Sequence, residues 1–439
     1  MRHDARNVAL DVLTEVESGG FLQPTLEARL RKGTVDDRER RLALELVMGV
    51  LRWRSRLDFE LEAFLRNGLS GTEQVLLDLL RLALYQIRFL DRIPQHAAVH
   101  TAVEIARHRR GRGPSGFVNG VLRACLRSEA LPLPSDKLSA LSIEVSHPSW
   151  LMARWVSRYG FTEAKARANA NNRTSPLTIR PQGFALDRVA LSEKLTCDEG
   201  ASVQSGRWSP DALNVLAHPR PFESQSFRDG VWTVQDEASQ LVVRMLAPAP
   251  GDCIWDVCAA PGGKTRYIYD AVGGEAQILA TDVNQNKVDE MARRFRGLNI
   301  EVRRVPSAHR SAARFDRVLV DAPCTALGLL HRHPEIRWRR SIDDVERCAE
   351  VQATLLQNAA VAVRPGGVLV YSVCSVTPEE GPGQLRQFLS LNPDFHLESP
   401  DDRAVQWESL LEDSTLQTTP YHHGIDGFFA ARLRREQQL

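Results

Sequence analysis

Residues 254–265 read Ile-Trp-Asp-Val-Cys-Ala-Ala-Pro-Gly-Gly-Lys-Thr, an apolar run followed by a glycine-rich turn. The apolar part predicts a buried strand over 254–257, a tight loop from Cys258 to Gly263, and a helix from about Lys264. Glycine lets a ligand approach the backbone closely, and a helix amino terminus favours a negatively charged group. The stretch therefore predicts the first turn of a Rossmann-like α/β domain that binds a nucleotide-like ligand.

Apolar runs further along the chain predict the rest of this domain. Strands are expected at 278–281, 300–305, 318–320 and 368–371, with helices over 286–296 and 342–363. Strands that alternate with helices indicate a mostly parallel sheet covered on both faces. Residues 426–433 predict an additional edge strand. We expect this domain to span residues 231–434.

The first third of the chain has a different pattern. Apolar residues recur at helical spacing from about residue 5 to residue 127, as at Leu76, Leu80, Ala83 and Ile87. This pattern predicts an all-helical domain over residues 1–128. The prolines in 131–134 predict a linker over 129–146, since proline restricts its predecessor and donates no hydrogen bond. A small mixed α/β domain is then expected over 147–230.

Composition narrows the partners and the compartment. The 439 residues carry a formal net charge of +1, so any polyanion must be bound by local patches. Arginine clusters at 52–56 and 107–112 are candidate RNA phosphate contacts. The seven cysteines form no C-x-x-C pair, which favours a reducing compartment. With no signal-like amino terminus and no long apolar run, we expect a cytoplasmic protein with no membrane partner.

Two cysteines follow neighbouring predicted strands. Cys324 comes after the strand at 318–320, and Cys374 after the strand at 368–371. Open α/β folds gather reactive groups where parallel strands end, so the two thiols indicate covalent chemistry. They are equally consistent with buried small hydrophobes, which most free cysteines are. Asp282 ends the second strand, where an acid is placed to bind ribose hydroxyls.

Three motifs carry a resemblance to RNA cytosine carbon-5 methyltransferases. They are Asp-Val-Cys-Ala-Ala-Pro-Gly-Gly-Lys-Thr at 256–265, Asp-Ala-Pro-Cys-Thr at 321–325, and Cys-Ser-Val-Thr-Pro-Glu-Glu at 374–380. The helical region, with Gly-Val-Leu-Arg at 49–52 and Tyr-Gln-Ile-Arg-Phe-Leu at 85–90, resembles a NusB-like RNA-binding domain. Together these features resemble the Sun/RsmB family of bacterial small-subunit ribosomal RNA methyltransferases over almost the whole chain.

The resemblance implies a cofactor, a substrate and roles for named residues. It implies S-adenosylmethionine as methyl donor and small-subunit ribosomal RNA as substrate, and we expect a monomer without a metal site. Cys374 would be the nucleophile that adds to carbon 6 of cytosine, and Cys324 would assist release. Asp321 would hold the base as a carboxyl group kept protonated by burial. The implied cofactor-binding residues are Cys258, Ala259, Ala260, Pro261, Gly262, Gly263, Lys264, Asp282 and Asp321.

The sequence departs from the family pattern in places that leave alternatives open. Val373 stands where the family usually has threonine, and Thr325 where serine is usual. The stretch 303–310 lacks the acid that contacts adenine in the family, and Ser307 is the nearest polar substitute. The two cysteines with exchanged roles, a transfer RNA substrate, and an RNA-binding assembly or antitermination factor with a vestigial methyltransferase fold all remain open.

The segment 331–340 is rich in arginine and follows Cys324 closely. It reads His-Arg-His-Pro-Glu-Ile-Arg-Trp-Arg-Arg, so we interpret it as an RNA contact in which Trp338 stacks a base. Neither its two histidines nor the pair His422 and His423 comes with further ligands at zinc-like spacing, so no metal is expected.

Overall fold

The computed structural model describes residues 4–20, 22–31, 36–306 and 314–437. They form two compact units, one made of Met1–Arg173 with His333–Arg339, the other of Thr174–Arg332 with Arg340–Leu439. The helices are α1 (Ala5–Glu17), α2 (Leu22–Arg31), α3 (Asp37–Glu62), α4 (Gln74–Phe89), α5 (Gln95–Arg110), α6 (Arg112–Arg127), α7 (Lys137–Glu144), α8 (Ser149–Asn171), α9 (Arg188–Glu199), α10 (Gln225–Arg228), α11 (Glu237–Leu246), α12 (Gly263–Ala271), α13 (Gln285–Arg294), α14 (Ile336–Arg339), α15 (Ile342–Ala362) and α16 (Pro382–Leu391). The strands are β1 (Leu177–Pro181), β2 (Ser202–Ser205), β3 (Leu213–Ala217), β4 (Trp232–Val234), β5 (Cys253–Asp256), β6 (Gln277–Asp282), β7 (Ile300–Arg304), β8 (Phe315–Asp321), β9 (Val363–Val373), β10 (Phe395–Leu397), β11 (Leu411–Glu412), β12 (Thr415–Gln417) and β13 (Phe429–Arg435).

The first unit is helical throughout its described residues, as the apolar spacing predicts. Helix α4 is its most buried element and packs against α3, α5 and α6 around a leucine- and valine-rich core. Carboxylate caps begin several of its helices, as where Asp4 accepts a hydrogen bond from the amide of Asn7, and Asp36 from that of Glu39. Such caps satisfy amides that the helix itself leaves unpaired.

The predicted linker at 129–146 is only partly irregular. Helix α7 lies inside it, because Asp136 accepts a hydrogen bond from the amide of Ser139 and begins a new helix directly after the prolines. Helix α8 then packs against α7 within the first unit. By these contacts α8 groups with the first unit, which runs to Arg173.

Residues His333–Arg339 belong to the first unit and are used for packing. The Arg337 guanidinium is fully buried and donates to the carbonyl oxygen of Ser146 and to Asn172 Oδ1, both at 2.9 Å. Trp338 Nε1 donates to the carbonyl oxygen of Leu51 at 2.6 Å. The interpretation of this segment as an RNA contact is therefore wrong for Arg337, which is buried inside the protein, whereas the stacking role of the half-buried Trp338 stays a prediction.

The second unit begins with a small antiparallel sheet in the order β2-β3-β1-β4. Helix α9 packs against it over a core that includes Ile179, Leu195 and Trp232. This is the mixed α/β region expected before residue 231.

The large sheet has the order β11-β12-β13-β9-β8-β5-β6-β7, with β10 also paired to β13. Strands β9, β8, β5, β6 and β7 are parallel, as the alternation of strands and helices predicts. The last strand is a correction. It was expected at an edge, whereas β13 lies between β12 and β9, because the β11–β12 hairpin continues the sheet beyond it.

The parallel strands are buried on both faces. In β9, Val368 and Val370 enter one core while Leu369 and Tyr371 enter the other. Side chains of a strand alternate between faces, so a continuous apolar run is what a sheet between two helical layers requires. No described helix is both long and apolar enough to cross a membrane.

Gly49 marks the closest approach of α3 and α4, and it offers a test of this packing. A Cβ at Gly49 would lie 2.0 Å from Tyr85 Cζ, whereas one at the exposed helical Gly120 would meet no atom within 4 Å. We expect Gly49→Ala to lower the free energy of unfolding by about 1–3 kcal/mol through overpacking. We expect Gly120→Ala to raise it by up to about 1 kcal/mol, because alanine is the better helix former. Urea unfolding measures both, and equal effects of the two variants would contradict the packing.

Candidate active site

Two neighbouring strands bring the thiols together. Strands β8 and β9 pair in parallel with Asp321 opposite Ser372, so both strands end at the same edge of the sheet. Cys324 lies in the loop after β8, and Cys374 directly follows β9. Their sulfur atoms are 3.2 Å apart. The sequence indicated a shared edge, and the strand register turns it into direct contact.

The surroundings of Cys324 favour its protonated form. The hydrogen bond with Cys374, burial, and the nearby charges of Cys374 and Glu380 raise the pKa of Cys324 well above that of an ordinary thiol. The raised pKa of Cys324 thus places a protonated thiol in contact with Cys374 Sγ.

Asp321 forms a salt bridge at the end of β8. Its Oδ2 lies 2.7 Å from Lys264 Nζ, and its Oδ1 accepts a hydrogen bond from Ser372 Oγ at 2.7 Å. Burial opposes the charge on Lys264, but attraction to Asp321 outweighs it and raises the pKa of Lys264. Lys264 and Ser372 thus hold both oxygens of the Asp321 carboxyl group at the end of the strand.

Two cavities meet at these residues. The larger, of about 500 Å³, has walls that include Trp255, Val283, Leu355 and Cys324. The smaller, of about 350 Å³, is lined by polar groups that include Lys264 and Asp236. Both are lined by Cys258, Ala260, Asp321 and Cys374. Cys374 is thus open to both cavities, whereas Cys324 lines only the larger one.

The expected cofactor residues are distributed unevenly over these cavities. Besides the shared Cys258, Ala260 and Asp321, the smaller cavity is lined by Ala259, Pro261, Gly263 and Lys264. Gly262 lines neither cavity and instead has a φ of +95°, and a Cβ there would lie 2.5 Å from Phe295 Cζ. Asp282 also lines neither, and its Oδ1 accepts a hydrogen bond from the amide of Asn284. The positive φ at Gly262 and the closeness of Phe295 mean that the turn itself requires glycine at this position.

One carboxyl oxygen of Asp256 receives no hydrogen bond from the described residues. Its Oδ2 accepts a hydrogen bond from Thr265 Oγ1 at 2.7 Å, while its buried Oδ1 has no hydrogen-bond partner among the described residues. Burial raises the pKa of Asp256 to about 7. Asp256 lines the smaller cavity, so an unsatisfied acceptor faces the region where the loop would hold a ligand.

A buried ionic cluster forms another wall of the smaller cavity, and sequence reasoning did not assign it. Arg332 lies 2.7 Å from Asp236 Oδ2 and 2.8 Å from Asp426 Oδ1. His331 Nε2 lies 3.1 Å from the same oxygen of Asp426. Burial and the Asp426 charge raise the pKa of Asp236 to about 7. The motif Val-Gln-Asp-Glu-Ala-Ser at 234–239 was visible in the sequence, but its pairing with residue 426 was not.

Two further expectations concern the adenine end of the cofactor and a metal. Ser307, the expected substitute for an adenine-contacting acid, lies outside the described residues, while Val305 and Pro306 line the larger cavity. Among the described residues, no group of three or more His, Cys, Asp and Glu side chains is arranged to hold a metal ion.

Several arginines of the two clusters in the first unit are buried or already form ion pairs within the protein. Arg52 is buried, and Arg54 pairs with Glu17 at 2.7 Å. Arg109 and Arg110 pair with acids at 2.6 Å each. These four are therefore poor candidates for phosphate contacts, contrary to the expectation from the clusters.

A groove of about 1030 Å³ between α5 and α6 provides a different basic surface in the first unit. No acidic residue lines it, whereas His96, His100, Arg107, Arg112, Arg123 and Arg127 all do. The four arginines are exposed. Gly116 also lines the groove, and a Cβ there would meet nothing within 4 Å, so the backbone is open to a ligand.

Three protein-family models match three successive stretches of the chain. The model of the 16S rRNA methyltransferase RsmB/F matches residues 243–434. The NusB family model matches 3–127, and the model of the ferredoxin-like domain of RsmF/B-like methyltransferases matches 147–223. Two solved structures share the fold. PH0851 has a TM-score of 0.85 at 23% identity over 99% of both chains. NSun6 from Pyrococcus horikoshii with SFG has a TM-score of 0.58 at 20% identity over 66% of this chain and 99% of that one.

Relatives with similar sequences extend over the full length. Ribosomal RNA small subunit methyltransferase B of Sodalis glossinidius is 33% identical, with 99% of this chain and 97% of the relative covered. The protein of the same name from Salmonella arizonae is 32% identical, with 98% and 99% covered. This chain belongs to the RsmB/F family of 16S ribosomal RNA methyltransferases.

Proposed function

We propose that this protein transfers a methyl group from S-adenosylmethionine to carbon 5 of a cytosine in 16S ribosomal RNA, through a covalent bond between Cys374 and the base. The observation that carries the proposal is the pair of thiols, 3.2 Å apart, at the junction of two cavities. One cavity would hold the methyl donor and the other the base, so that Cys374 reaches both.

The site suits S-adenosylmethionine. The larger cavity has apolar walls at Val257, Val283 and Leu355 for an aromatic ring. The amino terminus of α12 favours a carboxylate, and open space over Gly263 lets it approach the backbone, so the methyl donor would reach from the larger cavity past the shared Cys258 to the loop edge of the smaller one. When bound, the cofactor supplies an electrophilic methyl group.

The smaller cavity complements the polar edge of cytosine. That edge presents an amino group as donor, with ring nitrogen 3 and the carbonyl oxygen as acceptors. The Asp321 carboxylate would accept from the amino group, and the Lys264 ammonium would donate to an acceptor. The same ammonium would stabilise the negative charge that develops on the ring. Uracil lacks the amino group, so Asp321 would disfavour it.

Cys374 starts the reaction and Cys324 helps to end it. The Cys374 thiolate adds to carbon 6, and the displaced electron pair makes carbon 5 nucleophilic enough to accept the methyl group. The proton on carbon 5 then leaves to water, and the pair of the breaking carbon–sulfur bond returns to Cys374 Sγ. Cys324 holds a proton 3.2 Å from that sulfur and would stabilise it as it leaves.

Single alanine variants separate these roles. We expect Cys374→Ala to abolish methylation while RNA binding persists, because the nucleophile alone is removed. We expect Cys324→Ala to accumulate a covalent protein–RNA adduct that survives a denaturing gel, because release is slowed. Tritium transfer to 16S ribosomal RNA and the gel are the measurements, with Cys197→Ala, an exposed cysteine, as control.

Two outcomes would contradict the proposed activity or the proposed roles of the two cysteines. An adduct from Cys374→Ala together with inactive Cys324→Ala would exchange the two roles. A wild-type protein that binds 16S ribosomal RNA but never methylates it would favour an assembly factor with a vestigial methyltransferase fold.

We infer that the groove between α5 and α6 binds RNA phosphates. Its support is the row of exposed arginines without an acidic residue among the lining side chains. Arg123 and Arg127 suit a test, because neither forms an ion pair with an acid in the described part of the chain.

The double variant Arg123→Ala/Arg127→Ala should weaken binding of 16S ribosomal RNA by about tenfold and reduce the salt slope of log K by about 2. Filter binding at several salt concentrations measures both quantities. Arg66→Ala, at an exposed arginine away from the groove, should change neither. An unchanged salt slope in the double variant would rule the groove out as a phosphate site.

A further inference from the structure

Glu380 is a buried acid that lies behind the two thiols. It follows Cys374 by six residues, in the turn between β9 and α16, and its exposed fraction is 0%. Its Oε1 accepts hydrogen bonds from the Thr325 amide at 2.8 Å and from Gln352 Nε2 at 3.2 Å. Its Oε2 accepts from Ser375 Oγ at 2.5 Å, from Thr377 Oγ1 at 2.9 Å and from Thr325 Oγ1.

Two of these donors belong to the residues that follow the two cysteines. Thr325 directly follows Cys324, and Ser375 directly follows Cys374. One carboxylate therefore binds the neighbours of both thiols, on loops that are 50 residues apart in the chain. Thr325 Oγ1 and Ser375 Oγ also lie 3.1 Å from each other.

Burying a carboxylate is costly unless hydrogen bonds replace its hydration. No lysine or arginine of the described residues forms a salt bridge with Glu380, so neutral donors alone compensate the charge. Hydrogen bonds to a charged acceptor are shorter and stronger than those between neutral groups. The Glu380 carboxylate therefore holds the two loops together more firmly than the direct contact between the Thr325 and Ser375 hydroxyls would.

Two further elements hold Glu380 itself in place. Tyr371 Oη, on β9, donates to the backbone carbonyl oxygen of Glu380 at 2.6 Å. Gln352, on α15, donates both to Glu380 and to the carbonyl oxygen of Pro323, the residue before Cys324. Glu380 is thus a fixed point against which both loops are positioned.

We propose that Glu380 is a positioning residue whose carboxylate ties the Cys324 loop to the Cys374 loop and so sets the distance between the two sulfur atoms. Its catalytic consequence rests on the proposed function, in which Cys324 assists the departure of Cys374. The negative charge of Glu380 acts in the same sense, because it helps to keep Cys324 protonated.

The sulfur–sulfur distance is tested without RNA or cofactor. Diamide oxidises two adjacent thiols to a disulfide, and it takes up their two hydrogen atoms as it becomes the hydrazine. Quenching with an alkylating agent and peptide mass analysis measures the Cys324–Cys374 disulfide over time. We expect Glu380→Ala to slow its formation by about tenfold, because the hydrogen bonds to a charged group are lost. Glu380→Gln keeps the size and one accepting oxygen but loses the charge and replaces the other oxygen by a donor, so its rate should lie between those of Glu380→Ala and wild type.

Two further variants separate the loss of this tie from a general loss of stability. Glu350→Ala removes an exposed acid from α15 and should oxidise at the wild-type rate. If Glu380→Ala fails to fold, Thr325→Val removes one hydroxyl at nearly constant volume and should slow the disulfide by a few-fold. Wild-type rates in folded Glu380→Ala, or in Thr325→Val when that variant is the one used, would overturn the proposal.

Catalysis supplies a second readout. We expect Glu380→Ala to lower kcat by about tenfold, to lower KM for RNA with it because the slowed step follows covalent-bond formation, and to accumulate adduct as Cys324→Ala does. Adding Glu380→Ala to Cys324→Ala should slow release no further. A raised KM with no adduct would assign Glu380 to binding or folding and overturn the positioning role. If wild type lacks methylation while the oxidation rates follow expectation, the proposed function fails and the positioning role stands.

Discussion

The parallel pairing of β8 with β9 is the constraint on which the site depends. With Asp321 opposite Ser372, the two strands end at the same level, and the loops that follow them carry Cys324 and Cys374 to within 3.2 Å of each other. A slip by one residue would turn the strand ends to opposite faces. Burial on both faces makes such a slip costly, because Val368 to Tyr371 would exchange cores that are already filled.

Buried charge is concentrated around this edge and is compensated in three ways. Asp321 pairs with Lys264, Arg332 bridges Asp236 and Asp426, and Glu380 relies on neutral donors. Asp256 is left with an unsatisfied oxygen. Buried polar groups are tolerated when they are satisfied, so those that are incomplete point to a ligand. This pattern fits a pocket that is prepared for polar partners on one side and for an aromatic ring on the other.

Much of this architecture was predictable because it follows from local pattern. The helical spacing of the first third, the five parallel strands and the glycine turn at 262 each leave a signature within a few residues. What the sequence hid were contacts between distant residues. The tie from Glu380 to Thr325, the pairing of Asp236 with Asp426, and the ion pair of Asp321 with Lys264 depend on the folded register. The arginines at 54, 109, 110 and 337 looked like RNA contacts for the same reason, since a sequence does not show whether an acid or a carbonyl already binds them.

We propose that Cys374, at the junction of the two cavities, activates carbon 5 of a cytosine in 16S ribosomal RNA to accept a methyl group. The most direct test of this proposal is a map of 5-methylcytosine in ribosomal and transfer RNA from cells that lack this gene, complemented with wild type or with Cys374→Ala. We expect one 16S position to lose its methyl group in the deletion and to regain it with wild type only. Loss confined to transfer RNA, or restoration by Cys374→Ala, would contradict the account.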